Sequence, residues 1–312
     1  MENEKNRRRV KKPRQEWNPH WLLKVFYALW TTTVSVAKIA IGAALTVVLI
    51  VLVCGVVFVG TLGDYLQEDI LTDAADWSIG DYDIEETSFA YYVDDGGNIQ
   101  LLQTIYTTTD RQWAELEDIP QDLINATIAI EDKRFFEHQG VDWITTVKAC
   151  LNMFFGTGDA GGSTITQQLV KNVTGEKSVT VQRKVMEIFR AQIFDREYDK
   201  ELILEEYLNR IYLGKGCYGV KSAAAQYFGK ELQSLTAAEC ASLISITNNP
   251  SLFNPYSETV YKYKGEEKTG REWNRWRQLN VLDQMHQQGY LTDLEYAEAV
   301  AEELVFKSGI DD

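Results

Sequence analysis

Twenty-four consecutive residues, Ile39 to Leu62, contain no charge and no proline. A helix needs roughly 20 apolar residues to cross the hydrocarbon of a bilayer, so this run commits the chain to one membrane-spanning helix. Arg7-Arg8-Arg9-Val10-Lys11-Lys12-Pro13-Arg14 precedes it. The excess of Lys and Arg on cytoplasmic flanks places that end in the cytoplasm and the rest of the chain on the far side. A cleaved signal peptide fits less well. The apolar run is too long for a signal core, and it starts late behind a long basic tail. Trp17, Trp21, Phe26, Tyr27 and Trp30 fit an interfacial aromatic belt on a short helix lying along the membrane.

Charge divides the chain at the same place. Residues 1–62 hold nine Lys and Arg against three Glu, +6 in a chain that is −15 overall, so residues 63–312 carry −21. A body this acidic would be repelled by phosphate backbones, which argues against a nucleic-acid partner. Cys54 lies inside the span, and Cys150, Cys217 and Cys240 are scattered. They have neither paired spacing nor a His pattern for metal, and read as small buried thiols.

After the span, residues 63–87 are acidic and weakly periodic and read as a stalk. Ser88 to Tyr92 alternates, Asp94-Asp95-Gly96-Gly97-Asn98 signals a turn, and Ile99 to Tyr106 completes a β-hairpin. From Arg111 the pattern is helical. Asp122 to Glu137 predicts a helix that presents Glu131, Phe135 and His138 on one face. Ser163 is placed to cap a helix starting at Ile165. Val185, Ile188, Phe189 and Ile193 form an apolar stripe. Asp199 to Tyr212 predicts a helix stopped by Gly214. Thr236 caps another, with Glu239 in its first turn, until Asn248-Asn249-Pro250 breaks it. Residues 261–270 read as a charged loop, and Arg271 to Gln288 and Thr292 to Leu304 as closing helices. The body is mainly α.

Three segments carry candidate chemistry. Glu131 follows the apolar lead-in Ala126-Thr127-Ile128-Ala129-Ile130, and a carboxylate at the edge of an apolar wall can act as a general base. The competing reading is a solvated Glu-Asp-Lys-Arg run, and this segment alone favours it. Gly161 and Gly162 permit close backbone approach. Ser163 and Thr164 bring hydroxyls to a helix N-terminus, where free N–H groups attract an anion. Gln167, Gln168 and Lys171 add donors and a charge along the same helix. The Gly-Lys-Ser/Thr ending of a phosphate-binding P-loop is missing. Residues 163–190 hold Lys171, Lys177, Arg183, Lys184 and Arg190 against Glu176 and Glu187, a +3 island in a −21 body. It fits an anionic ligand such as a pyrophosphate, and it equally fits surface ion pairs at i, i+3 and i, i+4.

Taken in order, these segments resemble five successive motifs of the peptidoglycan glycosyltransferase domain of class A penicillin-binding proteins. Glu131-Asp132, Phe135, His138 and Gly140 match the first, and Gly162 to Gln168 the second without a gap. Arg183, Lys184 and Glu187 match the third. Lys200, Ile203-Leu204, Tyr207, Leu208 and Asn209 match the fourth. Gly216, Gly219, Ala223-Ala224 and Tyr227-Phe228-Gly229-Lys230 match the fifth. The resemblance covers about Trp113 to Leu304. It implies a mainly α, lysozyme-like lobe beside a membrane-associated jaw. Together with the segment readings above it gives the boundaries 1–38 for a basic tail and interfacial segment, 39–62 for the transmembrane helix, 63–110 for a stalk with a hairpin, and 111–312 for the glycosyltransferase domain.

The implied substrates are lipid II and the growing glycan chain at the cytoplasmic membrane, with undecaprenyl pyrophosphate released and a β-1,4 bond formed with inversion. By resemblance Glu131 is the general base and Glu187 the second acid, orienting cations or a divalent metal, magnesium or manganese. No organic cofactor is expected. Lys171, Arg183 and Lys184 neutralise the pyrophosphate. Asp132, Phe135, His138, Gly162, Ser163, Thr164, Gln167, Gln168 and Asn209 are the remaining substrate-binding candidates. Phe194-Asp195 stands where the family often has Leu-Glu, and only Lys177 represents the basic residue expected between the second and third motifs.

Ser35-Val36-Ala37-Lys38 and Lys268-Thr269-Gly270 imitate transpeptidase motifs, but the first abuts the span and the second lies in a charged segment. The expectation is a monofunctional enzyme, or the N-terminal portion of a bifunctional one, acting beside a transpeptidase and other cell-wall synthesis proteins. A glycan hydrolase is the alternative enzyme, and the basic island counts against it, because hydrolysis expels no pyrophosphate. A non-catalytic cell-wall scaffold is the other reading, and the presence of both acids counts against that.

Overall fold

The computed structural model describes residues 20–74, 88–94, 96, 98–105, 110–155, 161–175 and 180–307. Two units divide at Thr72/Asp73. The first is dominated by a single helix, α1 (His20–Ala74), of which His20–Thr61 is apolar and long enough to cross a membrane. The separate interfacial helix expected ahead of the span is not a separate element. Trp21, Phe26, Tyr27 and Trp30 lie on α1 itself and are exposed. Nothing between His20 and Ile41 breaks the helix. The hydroxyls of Thr31, Thr33 and Ser35 fold back onto carbonyls of the preceding turn at 2.7–3.0 Å, which polar side chains do readily on an apolar helix. Ser35 of the first imitation motif is therefore engaged within α1. The first part of the expected stalk, through Ala74, continues α1; Trp17 and residues 75–87 lie outside the described residues.

The second unit begins with the expected hairpin. β1 (Ser88–Val93) pairs antiparallel with β2 (Ile99–Ile105), with a bulge between Ala90 and Tyr91. Asp94 organises the turn: its Oδ1 accepts from the N–H groups of Gly96 at 3.0 Å and Asn98 at 2.8 Å. These bonds, the Asn98 one foremost, lower its carboxyl below the usual value.

The rest is helical, apart from a two-residue parallel pair, β3 (Asp110–Arg111) with β4 (Cys217–Tyr218), and one further hairpin. The helices are α2 (Gln121–Glu131), α3 (Trp143–Phe155), α4 (Ile165–Thr174), α5 (Val181–Glu197), α6 (Lys200–Arg210), α7 (Val220–Tyr227), α8 (Ala237–Ile246), α9 (Gly270–Gln287) and α10 (Asp293–Ala301). The core forms around α8, which is buried from Ala238 through Ile246. A short helix apolar on every side has to be surrounded, and α2, α7, α9 and α10 surround it. Polar bonds fix its seam with α9: Asn274 Nδ2 donates to Ser242 O at 3.1 Å and Gln278 Nε2 to Ala238 O at 2.7 Å. A second layer packs α4 between α5 and α6. Cys217 and Cys240 are buried, as expected of structural thiols, while Cys54 is exposed on α1.

Two element expectations in the second unit fail, both through tertiary packing. The helix predicted through Glu137 stops at Glu131, because Asp132 leaves helical geometry (φ −157, ψ 78) and turns its carboxylate into the fold. Glu131, Phe135 and His138 therefore share no helical face. The charged loop at 261–270 is a hairpin, β5 (Val260–Tyr263) with β6 (Glu266–Thr269). Lys264 and Gly265 supply the two positive φ angles, 51 and 85, that a tight two-residue hairpin turn needs. Tyr261 and Tyr263 pack against the small core of Leu252, Phe253 and Trp273. Thr269 of the second imitation motif caps α9 with Glu272.

Candidate active site

Glu131 ends α2 with its carboxylate held by three other elements. Its Oε2 accepts from Gln168 Nε2 of α4 at 2.9 Å. Its Oε1 accepts from the hydroxyl of Thr247, which follows α8, at 2.8 Å. Arg277 of α9 stands 3.7 Å from Oε1. Tyr207 of α6 donates to Gln168 Oε1 at 3.2 Å. Burial and, behind it, the charge of Glu131 push the Tyr207 hydroxyl well up, so it stays protonated. An ionised carboxylate only accepts, so Gln168 has to face Glu131 with its amide nitrogen, and Tyr207 locks the other end.

Asp132, one residue on, faces the interior. Its Oδ2 accepts from Ile165 N–H at 3.0 Å and from His138 Nε2 at 2.9 Å. The N-terminus of α4 thus holds an anion, as its free N–H groups predict, and that anion is the chain's own carboxylate. The cap is Thr164 rather than Ser163. The Thr164 hydroxyl accepts from Gln167 N–H at 3.1 Å, and Gln167 Oε1 accepts in return from Thr164 N–H at 2.9 Å, a reciprocal capping box. The same hydroxyl donates to Gly140 O at 2.6 Å. Gly140 has φ +77, and a Cβ there would stand 2.2 Å from Ala191 O of α5. Only glycine lets the first, second and third motif segments meet at this point.

Ser163, released from capping, accepts from Lys184 Nζ of α5 at 2.7 Å. Lys184 also donates to Glu187 Oε1, and Arg183 donates to Glu187 Oε2 at 2.7 Å. Glu187 is buried between two cations, so the +3 island is in part a structural ion-pair network. It is also the link from α5 to the Ser163 hydroxyl.

A cleft of about 390 Å³ opens beside these groups. Glu131, Asp132, Gly162, Ser163 and Thr164 line it together with Lys133, Arg134, Asp142, Ile144, Thr145 and Lys148. Arg134 pairs with Asp142. Burial alone would push Asp142 up. Hydrogen bonds from the Thr145 hydroxyl and N–H, then Arg134, outweigh it and hold the carboxyl at about 2. Asp142 thereby caps α3, whose Trp143, Ile144, Val147 and Leu151 present exposed apolar surface.

The structure brings Glu131, Gly162, Ser163, Gln168 and Lys184 together, with Arg183 and Glu187 behind them. Gln167 and Thr164 are buried in the cap. Phe135 is fully buried beneath Lys200, whose ammonium lies 4.5 Å from its ring centroid. His138 is enclosed against Asp132. Asn209 is buried, exchanging 2.8 Å bonds with the N–H and carbonyl of Ala114. Lys171 is exposed on α4. Asp195, at the position that departs from the family, pairs with Lys200 at 2.6 Å and accepts from Thr166. Lys177 lies outside the described residues. Thr247, Arg277 and Lys148 were not legible as site residues. The first two join through tertiary packing, and α3 announces itself only by the spacing of Ile144, Val147 and Leu151 after Asp142.

A family model described as Transglycosylase matches residues 98–286. The chain belongs to the transglycosylase family. It is 40% identical over 198 residues to penicillin-binding protein 1A of Aquifex aeolicus, covering 63% of this chain and 26% of that one. It is 41% identical over 194 residues to penicillin-binding protein 1A of Vibrio cholerae, covering 62% and 22%. A protein of Cupriavidus necator with a provisional transglycosylase name is 37% identical over 186 residues, covering 60% of this chain and 75% of the relative. The chain thus spans about a quarter of the penicillin-binding proteins it matches and most of the shorter transglycosylase.

The divalent ion that the resemblance allows has no ready-made protein cage among the described residues. Both Glu187 oxygens accept from cations, and among the described residues no three His, Cys, Asp or Glu side chains converge. A divalent ion here would have to be held by a carboxylate together with substrate phosphate oxygens, as magnesium often is.

Proposed function

We propose that this protein is a membrane-anchored peptidoglycan glycosyltransferase that polymerises lipid II into β-1,4 glycan strands and releases undecaprenyl pyrophosphate. The observation that carries the proposal is a carboxylate, Glu131, oriented by the uncharged donors Gln168 and Thr247 and lining a cleft that Lys148 also lines and Lys184 borders through Ser163. Glu131 takes the proton from the acceptor sugar's 4-hydroxyl as that oxygen attacks the anomeric carbon of the donor chain. The bond to the pyrophosphate oxygen breaks and the charge it leaves needs fixed cations. Lys184 and Lys148 are within or beside the cleft, Arg183 stands behind Lys184, and Lys171 extends the positive surface along α4. Prearranged charge of this kind is usually the largest contribution to such a step. No step is assigned to a metal.

In this reading α1 crosses the cytoplasmic membrane with its N-terminus inside, and the exposed apolar residues of α3 rest in the outer leaflet. The cleft then opens where the pyrophosphate of a lipid substrate sits. A transpeptidase would act on the product. The test is incubation of the detergent-solubilised chain with lipid II, resolved by gel. A ladder of lipid-linked glycans supports the proposal. Shortening of purified glycan without a ladder would replace it with a hydrolase.

A further inference from the structure

The carboxylate assigned as base is held by two groups outside every motif that the sequence singles out. Thr247 follows the last turn of α8, and its hydroxyl stands 2.8 Å from both Glu131 Oε1 and the Ile244 carbonyl. The hydroxyl has one proton to give to these two acceptors, and the charged carboxylate is the stronger of them. Arg277 reaches the same oxygen, at 3.7 Å, from the middle of α9. Its guanidinium lies 5.4 Å from the Phe253 ring centroid, and its buried Nε has no hydrogen-bond partner among the described residues. Burying a guanidinium with a donor unmet is costly, and filling this space would not require a charge. What the charge does here is face Glu131.

Lys148 of α3 lines the same cleft and Lys184 of α5 is engaged with Ser163 and Glu187, while among the described residues the ion pair of Glu131 itself is with Arg277. On its own segment, Asp132 turns to His138 and Ile165, Lys133 donates to Gln284, and Arg134 pairs with Asp142. From α4 comes the neutral Gln168 and from α6 the protonated Tyr207. We infer that Thr247 and Arg277 are positioning residues for Glu131: the hydroxyl fixes the direction of the carboxylate, and the guanidinium keeps it charged until the acceptor hydroxyl arrives. The inference rests on Glu131 being the base. Burial pulls Arg277 below its usual value and the Glu131 charge pushes it back, so the two charges favour each other.

The test is the pH dependence of lipid II polymerisation by the full chain in detergent, for wild type, Thr247→Val, Thr247→Ser, Arg277→Gln, Arg277→Lys and Glu131→Gln. Thr247→Val is close in shape and should lower kcat about 10- to 100-fold with KM little changed, since small misplacements of a reacting group cost on that order. Thr247→Ser should recover to within about threefold, because it restores the donor. Arg277→Gln should move the acidic limb of the kcat profile up by about one pH unit, the usual effect of losing an adjacent opposite charge, and Arg277→Lys should leave it near wild type. The position of the limb does not depend on how much of a variant is folded. Wild-type kcat in Thr247→Val, an unmoved limb in Arg277→Gln, or a rise in KM alone would overturn the inference while an inactive Glu131→Gln left the base in place. An active Glu131→Gln, or no ladder from wild type, would instead remove the proposed function and this inference with it.

Discussion

At the scale of single residues, position depends on which side chains each carboxylate faces. Glu131 and Asp132 are adjacent acids with opposite fates, one aimed at the cleft and one at the start of α4. The sequence made Glu131 a candidate because of its apolar lead-in. The residue types alone could not separate it from Asp132, as the resemblance does, because their partners lie on other helices. Asp142 gives a separate, measurable case. Its carboxyl titrates at about 2 rather than 3.8, so it binds its proton more weakly folded than unfolded. The stability this contributes is complete above about pH 4 and disappears as pH falls towards 2. Asp142→Asn is expected to cost about 1–2 kcal/mol at neutral pH, discounted for partial screening by solvent. It should also flatten the loss of stability between those pH values in denaturant unfolding. A variant as stable as wild type at pH 7 would contradict the cap assigned to Asp142.

At the scale of elements, the glycine-rich segment was legible as a capped helix starting at Ile165, with Ser163 expected where Thr164 is the cap, and its partner was not. The reciprocal Thr164–Gln167 bonds are local and follow from residue types three apart. The anion at the end of α4 is Asp132, 33 residues earlier in the chain, and no local pattern reports it. The same limit explains α2, which ends six residues before its periodicity does because Asp132 is drawn inward. It also explains the hairpin β5–β6, whose tyrosines acquire a core only when Trp273 and Phe253 arrive. Gly140 joins three of these segments. Gly140→Ala should cost about 3 kcal/mol or more, combining a positive φ with a clash against backbone that cannot move aside. Thermal or denaturant unfolding would read it directly. Polymerisation should fall too, since Gly140 O holds the Thr164 hydroxyl.

At the scale of the whole molecule, an acidic body is attached to a basic, apolar anchor, and the cleft that holds Glu131 is bordered by an apolar helix. The anchor was the plainest statement in the sequence, because a charge-free run of this length has few other uses. The apolar surface of α3 required the structure, since exposure distinguishes it from core. In proteoliposomes, Ile144→Glu with Leu151→Glu should raise the apparent KM for lipid II about tenfold or more with the unfolding midpoint little changed, because carrying a carboxylate into the hydrocarbon costs on the order of 2–3 kcal/mol. An unchanged KM would detach α3 from the membrane. The central claim is that Glu131 is the base of a polymerising transferase, and the most direct test compares lipid II polymerisation by wild type and Glu131→Gln on one gel. General bases contribute about 10²- to 10⁴-fold, so the account predicts ladders from wild type and none from a folded Glu131→Gln protein. Ladders of equal length and yield from both would contradict it.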